Sequence, residues 1–394
     1  MTGRPPDQAP AALRLDLPHE LQLFGDSVRR FVDTELIPLE ARYPGCPPPP
    51  VLHDLRAKAI AAGLYLPDVA ESDGGLGLSW LGQAVFWEEI SRTPLIPARK
   101  LFVFGPMVGA ILLQLQGPLR EQYLLPVIRG EKTACLAMTE ADAGSDPSAM
   151  RTRAVRQGGD WVLTGTKRFI TDAHEADFAQ VIAVTDPGRG SQALSCFLVD
   201  LDAPGVRRGA SYPTVSGDRP GELIFEGVRV PDSQRVGAQG AGFELAQQWV
   251  TSGRVLRHGA RSLGIARRSL ELATRYAHQR STFGQPLAQR QAVQFMLADT
   301  FMEMELARGM VWKAAQKLDD GQDARIESFM AKTCATEMGL RAADRCMQIH
   351  GGMGLTTELP IERMWREQRS FVVTEGPAEV MRATVARHVL QQYA

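Results

Sequence analysis

The hydrophobic period of this chain changes twice, and those two changes restrict its fold more than any single motif does. Between residues 19 and 45, Leu21, Phe24, Val28, Phe31, Val32 and Leu36 recur at helical spacing among charged residues, the pattern of one apolar helix face. A Pro-rich loop at 46–50 separates that helix from a second ending at Gly63, and Ser79 stands as the side-chain N-cap of a third over 80–90. Residues 100–130 read as helical again, interrupted by Gly117-Pro118 and Pro126. From Glu131 the pattern becomes short apolar runs between turn residues, at 161–164, 179–185, 195–200 and 222–230. Strands with no helix between them predict a small antiparallel barrel or sandwich. Helical periodicity returns at Gly242 in four segments, 242–279, 289–319, 323–350 and 376–392, which fits a four-helix bundle. The expectation is a multidomain α+β chain: a disordered segment 1–18, an N-terminal α-helical domain 19–130, a middle antiparallel β domain 131–240 and a C-terminal four-helix bundle 241–394.

Composition removes several functions. The 394 residues carry 44 Lys+Arg against 45 Asp+Glu, whereas a chain whose main partner is nucleic acid needs a basic excess. The five Cys (46, 135, 196, 334 and 346) are scattered and include no C-x-x-C, which argues against a disulfide framework and a zinc site. No His spacing suits a metal. The Pro-rich start lacks an apolar signal core, and the most apolar stretch, 101–113, is too short to span a bilayer. A cytoplasmic protein without a membrane span is expected.

Four segments stand out as carriers of chemistry, and each has a plain structural reading beside the functional one. Residues 137–149, AMTEADAGSDPSA, are a loop of small and hydroxylated residues whose N–H groups can approach a ligand, or a polar connector. Residues 280–299 begin with Arg280, able to fork onto a phosphate, and Phe283-Gly284-Gln285-Pro286, or they are an interhelical turn with a surface Arg. Residues 348–367 hold Gly351-Gly352-x-Gly354, a cofactor loop or a helix C-cap. In 374–379, TEGPAE, Pro377 suits the first position of a helix and Glu379 its first turn, with Glu375 either a functional carboxylate or a cap. His350 reads as a surface or interface residue, and Met296, Met302, Met304 and Met310 read as bundle packing.

Taken in order, these segments resemble the acyl-CoA dehydrogenase family of flavoproteins over essentially the whole chain. Thr139-Glu140 with Gly144-Ser145-Asp146 is similar to one family signature. The run from Gln348 through Gly351, Gly352, Gly354, Glu358 and Arg363 to Glu367 is similar to the second. The resemblance implies FAD held between the β domain and the bundle, with its adenine end reaching a neighbouring subunit of a homotetramer or homodimer. By motif, Met138, Thr139, Phe169, Ile170 and Thr171 would flank the flavin, with Phe169 replacing the family's usual Trp and losing its N–H donor. Arg280, Phe283 and Gln291 would hold the nucleotide, Gln348, Gly351 and Gly352 would approach it across the subunit interface, and Pro377 and Glu379 would touch FAD. Ser145, Arg254 and Gly376 match positions associated with the acyl-CoA substrate.

The activity this implies is removal of an α-proton from an acyl thioester and of a β-hydride to the flavin, giving the trans-2-enoyl product, with electrons passed to an electron-transfer flavoprotein. Glu375 matches the family's base. Some branches place the base immediately before the residue matching Arg254, where this chain has Gly253, which cannot serve. Departures include Thr251 in place of a frequent Asp, and Glu-Gly-Pro instead of Glu-Gly-Thr at the base. With Gly253–His258 they look like the branch with longer or unusual acyl substrates. The rival readings are an oxidase on the same fold, a desaturase of a carrier-protein-bound acyl group, and a non-catalytic flavin-binding partner subunit.

Overall fold

The structure, a computed structural model, describes residues 16–96 and 103–394. Residues 1–15, most of the segment expected to be disordered, lie outside the described residues, as do 97–102. Helices α1 (His19–Phe31), α2 (Pro49–Ala61) and α3 (Trp80–Ile90) form the first helical layer. The first is shorter than its apolar stripe: it gives way to a π-helical turn, Val32–Leu36, and a 3-10 turn, Ile37–Leu39, because Pro38 cannot donate to a continuing helix. Ser79 caps α3 as expected, its Oγ accepting from the Gly82 N–H at 3.1 Å. Asp319 bonds the next free donors, the N–H groups of Trp80 and Leu81, from the far end of another helix. The segment around 100–130 is more broken than its sequence predicts: α4 (Ala110–Leu113), α5 (Gly117–Leu119), a π turn Arg120–Leu124 and α6 (Leu125–Ile128).

Eight strands follow as one sheet: β1 (Ala134–Ala137), β2 (Arg153–Gln157), β3 (Asp160–Ile170), β4 (Phe178–Val184), β5 (Leu194–Asp200), β6 (Val206–Ser211), β7 (Gly221–Pro231) and β8 (Arg235–Val236). Their order is β6-β7-β3-β2-β4-β5-β8, with β1 beside β4. Most pairings are antiparallel, but β1 and β2 both meet β4 in parallel, and among the described residues no pairing joins β6 to β8. The sheet is therefore mixed at its centre. Strand β4, FAQVIAV, is buried on both faces, as a continuous apolar run requires. One face packs on Tyr123, Ile111, Leu124 and Leu245, and the other covers Trp161, Phe197 and Phe225.

The bundle contains α7 (Gly242–Gly253), α8 (Arg261–Gln279), α9 (Gln291–Asp319), α10 (Arg325–His350), α11 (Ile361–Val373) and α12 (Ala378–Gln392). A π-helical turn, Arg254–Ala260, joins α7 to α8, and a two-stranded hairpin, β9 (Ser281–Thr282) with β10 (Gln285–Pro286), joins α8 to α9. Helix α11 is an addition to the expected four segments. Its apolar Ile361, Met364 and Phe371 pack on Ile265, Ala273 and Ile349. The helical layer and the bundle share one core, in which Phe86, Trp87 and Phe104 meet Val255, Leu263, Val311 and Met338. Glu88 of α3 pairs with Arg308 of the bundle, and Glu89 with Arg267 of the bundle and Arg29 of α1, so the buried carboxylates of α3 are compensated. No helix among the described residues is long and apolar enough to cross a membrane.

Candidate active site

The four residues between α11 and α12 make a corner in which Glu375 has φ 54° and Gly376 φ 106°. A non-glycine residue in the left-handed region is uncommon and persists only where its surroundings hold it. Those surroundings are specific. The Arg257 Nη2 donates to Glu375 Oε1 at 3.0 Å, and Oε2 lies 3.5 Å from His258 Nδ1. The His258 Nδ1 bonds the Gly253 carbonyl at 3.1 Å and its Nε2 meets Thr374 Oγ1 at 2.9 Å. The Lys332 ammonium donates to the Gly376 carbonyl. Arg254 lies over the Phe329 ring, 4.4 Å from its centroid. Its buried Nε and Nη1 have no hydrogen-bond partner among the described residues.

The π-helical turn explains why one short segment supplies so much of this corner. Arg254, Arg257 and His258 leave it at three- and four-residue spacing, on one side of the helix. Burial pushes the His258 pKa down to about 3, with Lys332 and Arg257 adding to the shift and Glu375 opposing it. The imidazole is therefore neutral at ordinary pH. Burial also lowers Lys332 to about 8 and Arg254 to about 10, the Glu375 carboxylate restoring part of each. Gly253 completes the arrangement by lacking a side chain. A Cβ there would stand 1.8 Å from Glu375 Oε2 and 2.4 Å from Arg257 Nη2. Positions 253 and 375 thus compete for the same space, which gives a physical reason why only one of them can carry a carboxylate.

A second group of predicted residues meets at the edge of the sheet. The Arg168 N–H donates to the Thr139 carbonyl at 2.8 Å, and the Lys167 Nζ donates to the Met138 carbonyl at 3.0 Å and to Glu140 Oε1 at 2.7 Å. The loop after β1 is so pinned against the end of β3, where Phe169, Ile170 and Thr171 follow. Burial lowers Lys167 to about 8, with Glu140 opposing the shift. Ile170 is buried, whereas Phe169 has φ 56° and leaves half its surface exposed beside Tyr212. Ser145 is exposed on the loop before β2.

The third group lies at the opposite end of the bundle. Arg280 is exposed at the end of α8, and Phe283, at the hairpin tip with φ 47°, is 97% exposed. Gln291 opens α9. Gln348 is exposed near the end of α10, and Gly351 is the C-cap of that helix, followed by exposed Gly352. His350 is buried, contrary to its surface reading, with its ring stacked on Tyr276 at 4.4 Å and its Nδ1 on the Cys346 carbonyl at 2.8 Å. Pro377 is the N-cap of α12 and not its first residue, with Glu379 in the first turn. Of the four methionines, Met304 is buried while Met302 is exposed. The 19 residues of α8 separate this end from the Glu375 corner by roughly 28 Å at 1.5 Å per residue. A single chain brings Glu375, Gly376, Pro377 and Arg254 together, but not Arg280, Phe283, Gln291, Gln348, Gly351 and Gly352 with them.

A cavity of about 860 Å³ opens beside the corner. Its walls include Trp80, Gln83 and Trp87 of α3, the 104–110 segment, Gln247, Thr251 and Ser252 of α7, and Leu256 and Arg257. Asp68 joins them, its carboxyl pushed up to about 6 by burial against the opposing charge of Arg257 and N–H groups of Asp68 and Gly109. The sequence leads one to expect an acyl-pocket lining from the span Glu88 to Leu112 and the helical segment after Gly242, and residues within 104–110 and 244–257 of these line the cavity. Trp80 and Asp68 lie outside both, since their approach joins separate elements. The Arg254-x-x-Arg257-His258 spacing was the one signal that could have found part of the corner.

Three family models match the chain: acyl-CoA dehydrogenase N-terminal domain over 18–131, middle domain over 135–228 and C-terminal domain over 240–390. The sequence is 35% identical over 382 residues to the short-chain specific acyl-CoA dehydrogenase of Mus musculus, covering 96% of this chain and 92% of that protein. It is 34% identical over 348 residues to the caffeyl-CoA reductase-Etf complex subunit CarC of Acetobacterium woodii, covering 87% and 90%. The fold is similar to that of butyryl-CoA dehydrogenase from Megasphaera elsdenii, with a TM-score of 0.83, 28% identity and coverage of 95% and 99%.

Proposed function

Because this chain belongs to the acyl-CoA dehydrogenase family of FAD-dependent oxidoreductases, we propose that it removes the α and β hydrogens of an acyl-CoA thioester, with Glu375 as the base. The observation that carries this reading is the Glu375 corner: a carboxylate in a strained backbone position, admitted by Gly253 and set beside the cavity. An α-proton next to a thioester needs a positioned base and help for the charge that develops on the carbonyl oxygen. Glu375 is 23% exposed at its side chain, so the carboxylate is accessible but fixed. Arg257 holds its direction, and neutral His258 ties Thr374 and Gly253 to each other behind it.

The residues fit FAD. Phe169 presents an exposed aromatic side chain beside a loop whose Met138 and Thr139 carbonyls are bonded to Lys167 and Arg168, so the loop is held against the strand end that would meet the flavin ring. Bound beside Phe169, FAD would supply the acceptor for the β-hydride that leaves as the α-proton is taken. On the substrate's side, Arg254 supplies buried guanidinium nitrogens with no partner among the described residues, beside Gly376. Arg280 and Phe283, with Gln348, Gly351 and Gly352, would hold the nucleotide end. Their distance from the corner fits an arrangement in which one subunit's hairpin and glycine loop serve its neighbour's site, in a homodimer or homotetramer. Ser145, exposed on the loop before β2, would meet the CoA portion. An electron-transfer flavoprotein as acceptor is supported by the naming of the Acetobacterium relative as part of an Etf complex.

The cavity favours an acyl group larger than a short straight chain. Trp80 and Trp87 line it together with Gln83, Gln247 and Gln248, a mixture of aromatic and amide groups suited to a bulky acyl group bearing polar substituents. The test is an anaerobic visible titration of the purified holoenzyme with straight-chain, branched and ring-bearing acyl-CoAs. Bleaching of the flavin by a bulky member, and its absence in Glu375→Gln, is the expected result. A yellow protein that no thioester bleaches would remove the reading.

A further inference from the structure

The carboxylate of Glu375 is held by side chains, but the backbone beneath it also needs holding. Gly376, with φ 106°, is the residue of the corner most free to rotate, and the peptide after it leads into Pro377. A peptide bond to proline has no N–H, so its carbonyl is the one polar handle by which that unit can be fixed. That carbonyl accepts from the Lys332 ammonium. Lys332 stands within α10, 1% exposed, three residues after Phe329, the ring on which Arg254 lies. Residues three apart share a helix face, so one face of α10 supports both Arg254 and the residue after Glu375. Met381 of α12 encloses Gly376 further: a Cβ there would stand 2.1 Å from the Met381 Cε and 3.8 Å from Arg254 Nη2. An ammonium in such a place is costly, because burial takes it out of water. Its pKa falls to about 8 for that reason, with Glu375 and Glu379 opposing the shift and Arg254 adding to it. A methionine would fill the same length of α10 without that cost, so the lysine is explained by what it bonds.

We propose that Lys332 is a positioning residue for the base: by holding the Gly376 carbonyl it keeps the Glu375 backbone in its left-handed setting and so aims the carboxylate. The proposal rests on the reading of Glu375 as the base. Lys332 does not line the cavity and acts through the peptide after Glu375, whereas Arg257 bonds the carboxylate itself. A non-glycine residue at φ 54° is strained and relaxes when its surroundings let it. Without the lysine, Gly376 loses its anchor, and glycine passes between positive and negative φ at little cost. The turn between α11 and α12 then rotates and carries the Glu375 carboxylate away from the α-proton. Reacting groups misplaced by about 1 Å lose about 100-fold in rate.

Lys332→Met removes the donor and keeps the length of the side chain. Stopped-flow reduction of the FAD-loaded enzyme is followed against the concentration of the acyl-CoA that bleaches the wild type, which separates the limiting rate from substrate affinity. The limiting rate should fall about 100-fold, with FAD content, visible spectrum and substrate Kd within about twofold of wild type. Lys332→Met combined with Glu375→Gln should reduce no more slowly than Glu375→Gln alone, because the lysine acts only through the base. A merely structural role would add its own loss in the double variant. Lys332→Gln, an uncharged donor one atom shorter, should keep part of the rate. Where Lys332→Met does not hold FAD, the same readings on Lys332→Gln decide, with a loss of at least about tenfold expected. A crystal structure of the FAD-loaded variant needs no substrate: Gly376 should leave its φ of 106° and the Glu375 carboxylate should part from Arg257. Normal reduction in Lys332→Met, a full second loss in the double variant, or an unmoved corner overturns the proposal while the base stands. Normal reduction in Glu375→Gln removes the base and this proposal with it. If no acyl-CoA bleaches the wild type, the crystal structure alone decides what the lysine holds.

Discussion

The two ends of α8 and α10 are built by opposite means. At one end, Glu375 is fixed by contacts made wholly within the chain: an arginine on its carboxylate, a histidine behind its loop, a lysine on the next carbonyl, and a missing side chain at Gly253. At the other, Phe283 and the side chains of the glycine loop, Met353 and Leu355, are exposed. Exposed large apolar groups beside a cationic Arg280 mark a surface that another molecule completes. One end can be read from a single chain as a closed set of contacts, while the other, on the function proposed above, is half of a site.

The finished end should be the more sensitive to single atoms. Glu375→Gln, nearly isosteric, should keep FAD and lose substrate-driven flavin reduction by about 10²–10⁴-fold, the range for a positioned acid–base group. Stopped-flow reduction measures it, and normal reduction in the variant would return the corner to a structural role. Gly253→Ala adds a single methyl, but at 1.8 Å from the carboxylate oxygen. It should displace Glu375 and cost at least 100-fold in reduction, since small misplacements of reacting groups have that effect. A crystal structure with the carboxylate unmoved would contradict this.

How much of this was legible in the sequence follows the same division. The order of helical, sheet and helical regions was readable because α3, β4 and α8–α10 carry strong periodic or continuous apolar patterns. Strands β2 and β6, RAVRQ and VRRGAS, were missed because their exposed charged positions hide the alternation. Helix α11 was missed because the glycine loop before it dominated the reading, although Ile361, Met364 and Phe371 keep helical spacing. Within the site, Glu375 and Arg254 were legible through resemblance, as both lie in motifs. The partners that define the corner were not: Arg257 and Glu375 are 118 positions apart, and a pair so distant in the chain leaves no local signal. Gly253 was noticed as unable to be a base, but only the fold shows that it must be empty.

At the unfinished end, effects should appear in cofactor retention and not in the chemical step. Arg280→Ala should weaken FAD binding by about tenfold, the loss of one charge-assisted contact at an exposed site, while the loaded enzyme reduces at a rate within twofold of wild type. Equilibrium dialysis and single-turnover reduction distinguish these. A variant that binds FAD normally but reduces slowly would reverse the roles of the two ends.

The smallest expected effect compares the two buried histidines, one at each end. His258 has its pKa lowered to about 3 by burial, and burial also lowers that of His350, with the Cys346 carbonyl opposing. A histidine ordinarily titrates near 6.5, so below that pH the unfolded chain takes up a proton that the native corner refuses. Stability is then lost as the pH falls from about 6.5 toward 3, with a slope of at most about 1.4 kcal/mol per pH unit for one proton. Urea unfolding between pH 4 and 7 should show this slope in the wild type. Replacing His258 by Gln removes the titrating group, so the slope should flatten, and by more than in His350→Gln. Equal flattening in both variants would mean that the Glu375 corner is no more rigidly closed to protons than the glycine-loop end.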